Sequence, residues 1–201
     1  MSSKHPEKGS SSTMDIVEFF QLSSGKWFSQ RSSHDLTLKQ SESGKSDFQV
    51  ELLPKTDPVV IKLCEQHQLD PALALCGVRV SGDGSTAWDK EAHPGSSVLV
   101  PIADPNKPNE GKLLHAIDNA DTPVVGRYVV GNDDAVTLII ENDTLYAEER
   151  LWFASQNLRL RTSLLKQADG FSMAAFYTEI RKGVTTPPAE TKSQPSIGQP
   201  T

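Results

Sequence analysis

The chain has 201 residues, 20 basic and 26 acidic side chains, and a formal charge of −6. That balance argues against a protein whose main task is gripping nucleic-acid phosphates or an anionic membrane. Two cysteines exclude a dense disulfide framework, and no apolar run approaches the roughly 18 residues of a membrane span. No signal-peptide h-region opens the chain, so the expectation is a soluble protein of a reducing compartment.

Residues 1–13 carry no apolar side chain beyond Met1, and residues 183–201 hold four prolines among Thr, Gln and Ser. Neither segment can bury enough apolar surface to offset ordering, so both are expected to be disordered tails. One folded unit remains, 14–182. It opens with a helix signal: Asp15 and Glu18 form a capping-box pair, and Ile16, Phe19 and Phe20 share a face. A second helix starts at Asp57-Pro58, followed by Val59, Val60, Leu63 and Cys64. Asp70-Pro71 repeats the start signal, with Gly77 as its stop.

The rest reads as short strands. They are expected over 25–31, 34–40, 45–53, 97–101, 112–117, 124–130, 136–141, 145–153, 158–166 and 171–180, split by Gly, Asn, Asp or Pro. About ten strands with few helices predict an all-β, antiparallel barrel or sandwich. Gly25-Lys26-Trp27, after a short helix, resembles the lipocalin-type Gly-x-Trp signature, in which Gly lets the strand bend and the indole plugs one barrel end. A plain core tryptophan is the alternative.

The hairpin around 154–157 carries the most information. Taken as an even-length turn, it sets Trp152 opposite Arg159, Arg150 opposite Arg161 and Glu148 opposite Ser163, with Tyr146 on the same face. Like charges facing one another across a ladder are destabilising, so three arginines on one face call for local carboxylates or an anionic ligand. A solvated outer face is the competing reading; Trp152 and Tyr146 favour a pocket. An odd-length loop would scramble this pairing, so the inference rests on the turn. On the last strand, Glu179 shares a face with Phe171, Met173 and Tyr177, where it is either a buried carboxyl of raised pKa or a surface residue. The five histidines and two cysteines lack metal-ligand spacing, and no phosphate-binding glycine loop or nucleophile elbow occurs.

Several blocks together resemble the S-type (CpcS/CpeS) phycobiliprotein lyases. They are Gly25–Arg31 with Ser33-His34, Gln40–Asp47, Pro71–Leu75, Glu148–Ala154, Asn157–Ser163 and Gly170–Met173. One departure stands out: family members often carry Trp where this chain has Gly82, while Trp88-Asp89 is retained. The resemblance implies a lipocalin-like (fatty-acid-binding-protein-like) barrel that binds a linear tetrapyrrole, such as phycocyanobilin or phycoerythrobilin, as substrate and without a further cofactor. It implies transfer of that pigment to a cysteine of a phycocyanin, allophycocyanin or phycoerythrin subunit, in a cyanobacterial cytosol or plastid stroma. A homo- or heterodimer is compatible with it, and a non-catalytic carrier is the alternative. Arg159, Arg161 and Arg150 then suit the two propionates, Trp88 and Trp152 the rings, and His34 the pocket lining. Glu148 and Glu179 are the carboxylates assigned to the pyrrole nitrogens or to proton transfer, with Glu149 next if the hairpin register shifts.

Overall fold

The structure is a computed structural model that describes residues 14–82, 95–117 and 124–183. The expected tails, Gly183 apart, lie outside those residues. Ten strands form one closed antiparallel barrel: β1 Gly25–Asp35, β2 Gln40–Leu53, β3 Gly77–Gly82, β4 Gly95–Asp104, β5 Lys107–Ile117, β6 Val124–Val130, β7 Val136–Glu141, β8 Leu145–Ser155, β9 Leu158–Gln167 and β10 Ser172–Arg181. Each strand pairs with its sequence neighbours, and β10 closes on β1. This is the all-β, lipocalin-like architecture expected, with two short helices, α1 Ile16–Ser23 and α2 Pro58–Gln66.

The strand count agrees with expectation, but two strands and one helix differ from it. The separate strand expected over 34–40 does not form. Asp35 Oδ1 instead accepts from Thr37 N and Leu38 N, an Asx turn that folds 36–39 into the tip between β1 and β2. The tenth strand is β3, a short run next to Gly77 that local pattern did not mark. The Asp70-Pro71 start produces only a 3₁₀ turn, Pro71–Leu73, capped by Asp70 as expected.

α1 carries the capping box that Asp15 and Glu18 predict and lies across one end of the barrel. Its Ile16, Phe19 and Phe20 join Trp27, Phe48, Val50, Val78, Leu113, Tyr128 and Leu138 in the main core. Two side chains lock it there. Trp27 Nε1 donates to Ser23 O at 2.8 Å. Arg181 donates to the carbonyls of Leu22 and Ser24, satisfying acceptors at the helix C-terminus where a cation is also favoured by the helix dipole. The Arg181 guanidinium carbon stands 4.3 Å from the centre of the Trp27 ring. Gly25 makes this possible: its φ is +132°, and a Cβ would sit 2.8 Å from an Arg181 nitrogen. The Gly-x-Trp reading is thereby given its physical cause. α2 covers the outer face of β4 and β5, packing Val60, Leu63 and Cys64 on Val98, Val100, Ile102 and Leu114.

Among the described residues the β2–β3 ladder runs from Leu53–Gly77 to Phe48–Gly82, toward the opposite end of the barrel. Gly82, the last described residue of β3, has a φ of +151°, and a Cβ there would meet Asp47 O at 2.4 Å. A tryptophan at this position therefore needs a different local backbone, which is how the Gly82 departure acts on the rim.

The α1 lock yields a first prediction. Arg181→Ala removes charge-assisted bonds and the ring stack together, so urea unfolding should show a stability loss of about 2 kcal/mol. Arg181→Lys should recover only part, because an ammonium cannot span both carbonyls and the indole.

Candidate functional site

β8 and β9 meet in a register shifted by one residue from the expected one. Ala154 is an extra residue between Phe153 and Ser155, so Phe153 faces Arg159, Leu151 faces Arg161 and Glu149 faces Ser163. A bulge changes strand parity, and every side chain of β8 changes face relative to β9. Arg159 and Arg161 point into the barrel. So do Glu149 and Leu151, not Glu148, Arg150 and Trp152.

Inside the barrel four charges form one network. Arg159 Nε donates to Glu179 Oε2 at 2.6 Å, and Arg161 Nη1 donates to Glu149 Oε1 at 2.7 Å. Arg161 Nη2 stands 3.2 Å from Glu179 Oε1, an ion-pair contact whose angle falls short of a hydrogen bond. The four side chains are 0–11% exposed, so solvent screens them little. Aromatic rings support the guanidinium groups. Arg161 lies 3.8 Å from the centre of Tyr177, and Arg159 lies 5.1 Å from Trp27 and 5.6 Å from Phe48.

Burial pushes the Glu179 carboxyl up, but Arg159 and Arg161 outweigh it and hold the group below its ordinary value of 4.5. The raised pKa considered for Glu179 is therefore corrected: two cations, invisible from its own strand, keep it ionised. Burial likewise opposes charge on Arg161, and Glu149 and Glu179 more than offset that.

The network borders a cavity with about 130 Å³ of free space. Phe48, Val50, Val80, Leu99, Leu138 and Leu151 supply apolar wall, while Arg31, Gly44, Lys45 and Ser46 bring the cavity to the β2 rim. Arg161 Nε and Glu179 Oε1 are buried at its edge without a hydrogen bond. Buried polar atoms are rarely left so in a completed structure, and these two are a donor and an acceptor available to a ligand or water. Arg31 makes no ion pair with another described residue. The network's two cations and two anions cancel; Arg31 and Lys45 are then the uncompensated charges among the described residues that line the cavity.

A family model described as CpeS-like protein matches residues 15–182. The chain belongs to that family. It is 59% identical over 175 residues to a chromophore lyase CpcS/CpeS of Thermosynechococcus vestitus, covering 87% of this chain and 96% of the relative. It is 42% identical over 170 residues to a phycocyanobilin lyase subunit CpcS of Picosynechococcus, covering 83% and 86%. The solved S-type phycobiliprotein lyase CPES of Guillardia theta superposes with a TM-score of 0.73 at 34% identity, over 86% of this chain and 95% of that one.

In this CpeS-like barrel, Arg159, Arg161 and Glu179 come together inside, with Glu149 rather than Glu148 as the second carboxylate. Glu148 lies on the outer face, where Tyr146 Oη donates to its Oε2. Arg150 is outside as well, paired with Asp133 and 3.4 Å from Thr137 Oγ1. Trp152 sits on the outer face against Phe176, with ring centres 6.5 Å apart. His34 is exposed, its Nδ1 2.8 Å from Ser41 Oγ. The Ala154 bulge displaces the three β8 residues, and β1 alternation displaces His34, since Trp27, Ser29 and Arg31 take the inner positions. Trp88 lies outside the described residues. Arg31 is the residue that sequence reasoning missed. Its even spacing from Trp27, an inward residue under either reading of that tryptophan, is the signal that places it inside.

Two buried groups contribute to the acid limb of stability in different pH ranges. His115, buried on β5, has its pKa lowered by burial from 6.5 to about 4. A depressed folded value means stability that is present above 6.5 and lost as pH falls toward 4. Glu179, also depressed, contributes stability present above its unfolded value and lost below it as pH falls through the folded value. Urea midpoints measured against pH should therefore flatten between 6.5 and 4 in His115→Asn, and only below about 4.5 in Glu179→Gln.

Proposed function

We propose that this chain is a phycobiliprotein lyase: it holds a linear tetrapyrrole non-covalently and passes it to a cysteine thiol of a phycobiliprotein subunit. The observation that carries the reading is the cavity lining, which combines the Arg31 guanidinium, in no ion pair with another described residue, a buried Glu179 oxygen without a hydrogen bond, and apolar walls. A bilin presents matching parts: propionates, pyrrole N–H groups and an extended π system. Arg31 suits one propionate by a bidentate charge-assisted bond. Arg159 and Arg161, already held by carboxylates, hold Glu179 ionised and in place rather than serving two propionates. Glu179 Oε1 accepts from the pyrrole N–H groups and favours their protonated form. The free space of about 130 Å³ falls below the roughly 300 Å³ at which ligand pockets usually begin, so part of the pigment lies at the rim.

The acceptor's sulfur bonds to the outer carbon of the ring A ethylidene double bond, and a proton is delivered to the adjoining ring carbon as the thiol loses its own. Nothing is oxidised or reduced. The nucleophile comes from the partner, which accords with this chain's own thiols: Cys64 and Cys76 are buried, and burial pushes Cys76 up to about 12. Catalysis is then mostly positioning and exclusion of wrong additions. The acceptor is a subunit of phycocyanin, allophycocyanin or phycoerythrin type, met in the cyanobacterial cytosol or plastid stroma. A homo- or heterodimer is compatible with the site.

The deciding experiment mixes the purified protein, a bilin and an acceptor subunit. An acid-stable covalent adduct that requires this protein is expected; bilin binding without an adduct across all acceptor types would make it a carrier instead. Arg31→Ala should weaken bilin binding roughly ten- to hundredfold in an absorbance titration, the worth of one charge-assisted hydrogen bond. Arg150→Ala, on the outer face, should leave it unchanged.

A further inference from the structure

The outer face of the barrel behind Arg31 has a character of its own. A groove there is lined by Gln30, Ser32, Ser43, Lys45, Phe176 and Thr178, together with Arg31 and Gly44. The pairing register makes it a flat grid on three adjacent strands. Gln30 stands between Lys45 and Thr178, and Ser32 stands between Ser43 and Phe176. Phe176 is 43% exposed and packs on Trp152, and Ile180, one pair further along β10, is 46% exposed. The patch is mainly polar, and Phe176 is an exposed aromatic anchor in it, the kind of side chain enriched at protein interfaces.

Two observations say what it fits. First, Arg31, Gly44 and Lys45 border both the inner cavity and this groove, so both lie on the two sides of one stretch of wall at the open rim. A protein docked there has its own chain within reach of a pigment held in the cavity. Second, the groove's charge is one-sided. It has no carboxylate among its lining residues, and Lys45 makes no ion pair with another described residue. Asp47, the nearest acid on the same face of β2, is held by Lys182 at 2.8 Å. A second copy packed face to face would set Lys45 near its own equivalent with nothing to neutralise either.

We propose that this groove is the docking surface for the acceptor protein, which presents a segment carrying an apolar side chain against Phe176 and a carboxylate against Lys45. The inference rests on the lyase reading above and extends it to the partner. Docking on this wall brings the acceptor thiol to the rim, where part of the pigment lies.

The test separates pigment binding from transfer. Phe176→Asp and Gln30→Glu alter the groove and leave the cavity lining untouched, so an absorbance titration should show bilin bound as tightly as by the unaltered protein. Gln30→Glu offers Lys45 an internal partner. For both, KM for the acceptor subunit should rise roughly tenfold or more, the scale of one lost interface hot spot, with transfer at saturating acceptor preserved. Gln30→Lys should not raise KM. Unchanged KM in Phe176→Asp and Gln30→Glu overturns the proposal. So does a Phe176→Asp protein that turns from dimer to monomer in sedimentation while transferring normally, since a second copy then owns the face. If Phe176→Asp does not fold, Gln30→Glu against Gln30→Lys decides alone. An unaltered protein that binds no bilin removes the lyase reading itself, and with it the docking inference.

Discussion

Four charged groups inside a β-barrel are costly to desolvate unless each finds an opposite charge at hydrogen-bonding distance. Arg159, Glu179, Arg161 and Glu149 meet that condition together and not singly: each arginine contacts at least one carboxylate, and Glu179 is shared between both. Removing one member leaves an uncompensated buried charge. The network therefore constrains the fold as much as it furnishes the site. β8, β9 and β10 must be held in the one register that sets these groups side by side, and the Ala154 bulge is the local device that does so.

The remaining architecture keeps that network dry on one side and reachable on the other. α1 seals the near end through Ile16, Phe19 and Phe20, and Trp27 stands between two guanidinium groups, Arg181 from the helix side and Arg159 from the cavity side. One indole thus connects the end seal to the charged ring. Toward the far end the cavity is lined by Arg31, Gly44 and Lys45. The neutralised network holds Glu179 ionised, while Arg31 makes no ion pair with another described residue.

Much of this was legible from local pattern. The capping box at Asp15, the Asp57-Pro58 start and most of the strands follow from short-range rules, and Gly25-x-Trp27 marked the end that α1 seals. The inward position of Arg159, Arg161 and Glu179 was inferred from charge and family blocks. The misplacement of Glu148, Arg150 and Trp152 has one cause. A period-two strand assigns its faces only relative to a partner, and a single bulge residue inverts the assignment. No composition or spacing within 145–166 distinguishes the two parities. His34 and Arg31 illustrate the same rule on β1, where counting from Trp27 settles the matter once that indole is known to be inside.

The amino-acid sequence by itself determined the class of fold, the elements in their order and the presence of an arginine-rich hairpin, because these depend on propensity, capping and alternation between near neighbours. Only the tertiary structure decided which charges face which. The ionised state of Glu179 and the neutralisation of Arg159 and Arg161 depend on the register in which β8, β9 and β10 meet, and the place of Arg31 depends on β1 closing onto β10, where Arg31 meets Tyr177. Electrostatic energies in a dry interior are set by distances between such partners, and no reading along the chain contains those distances.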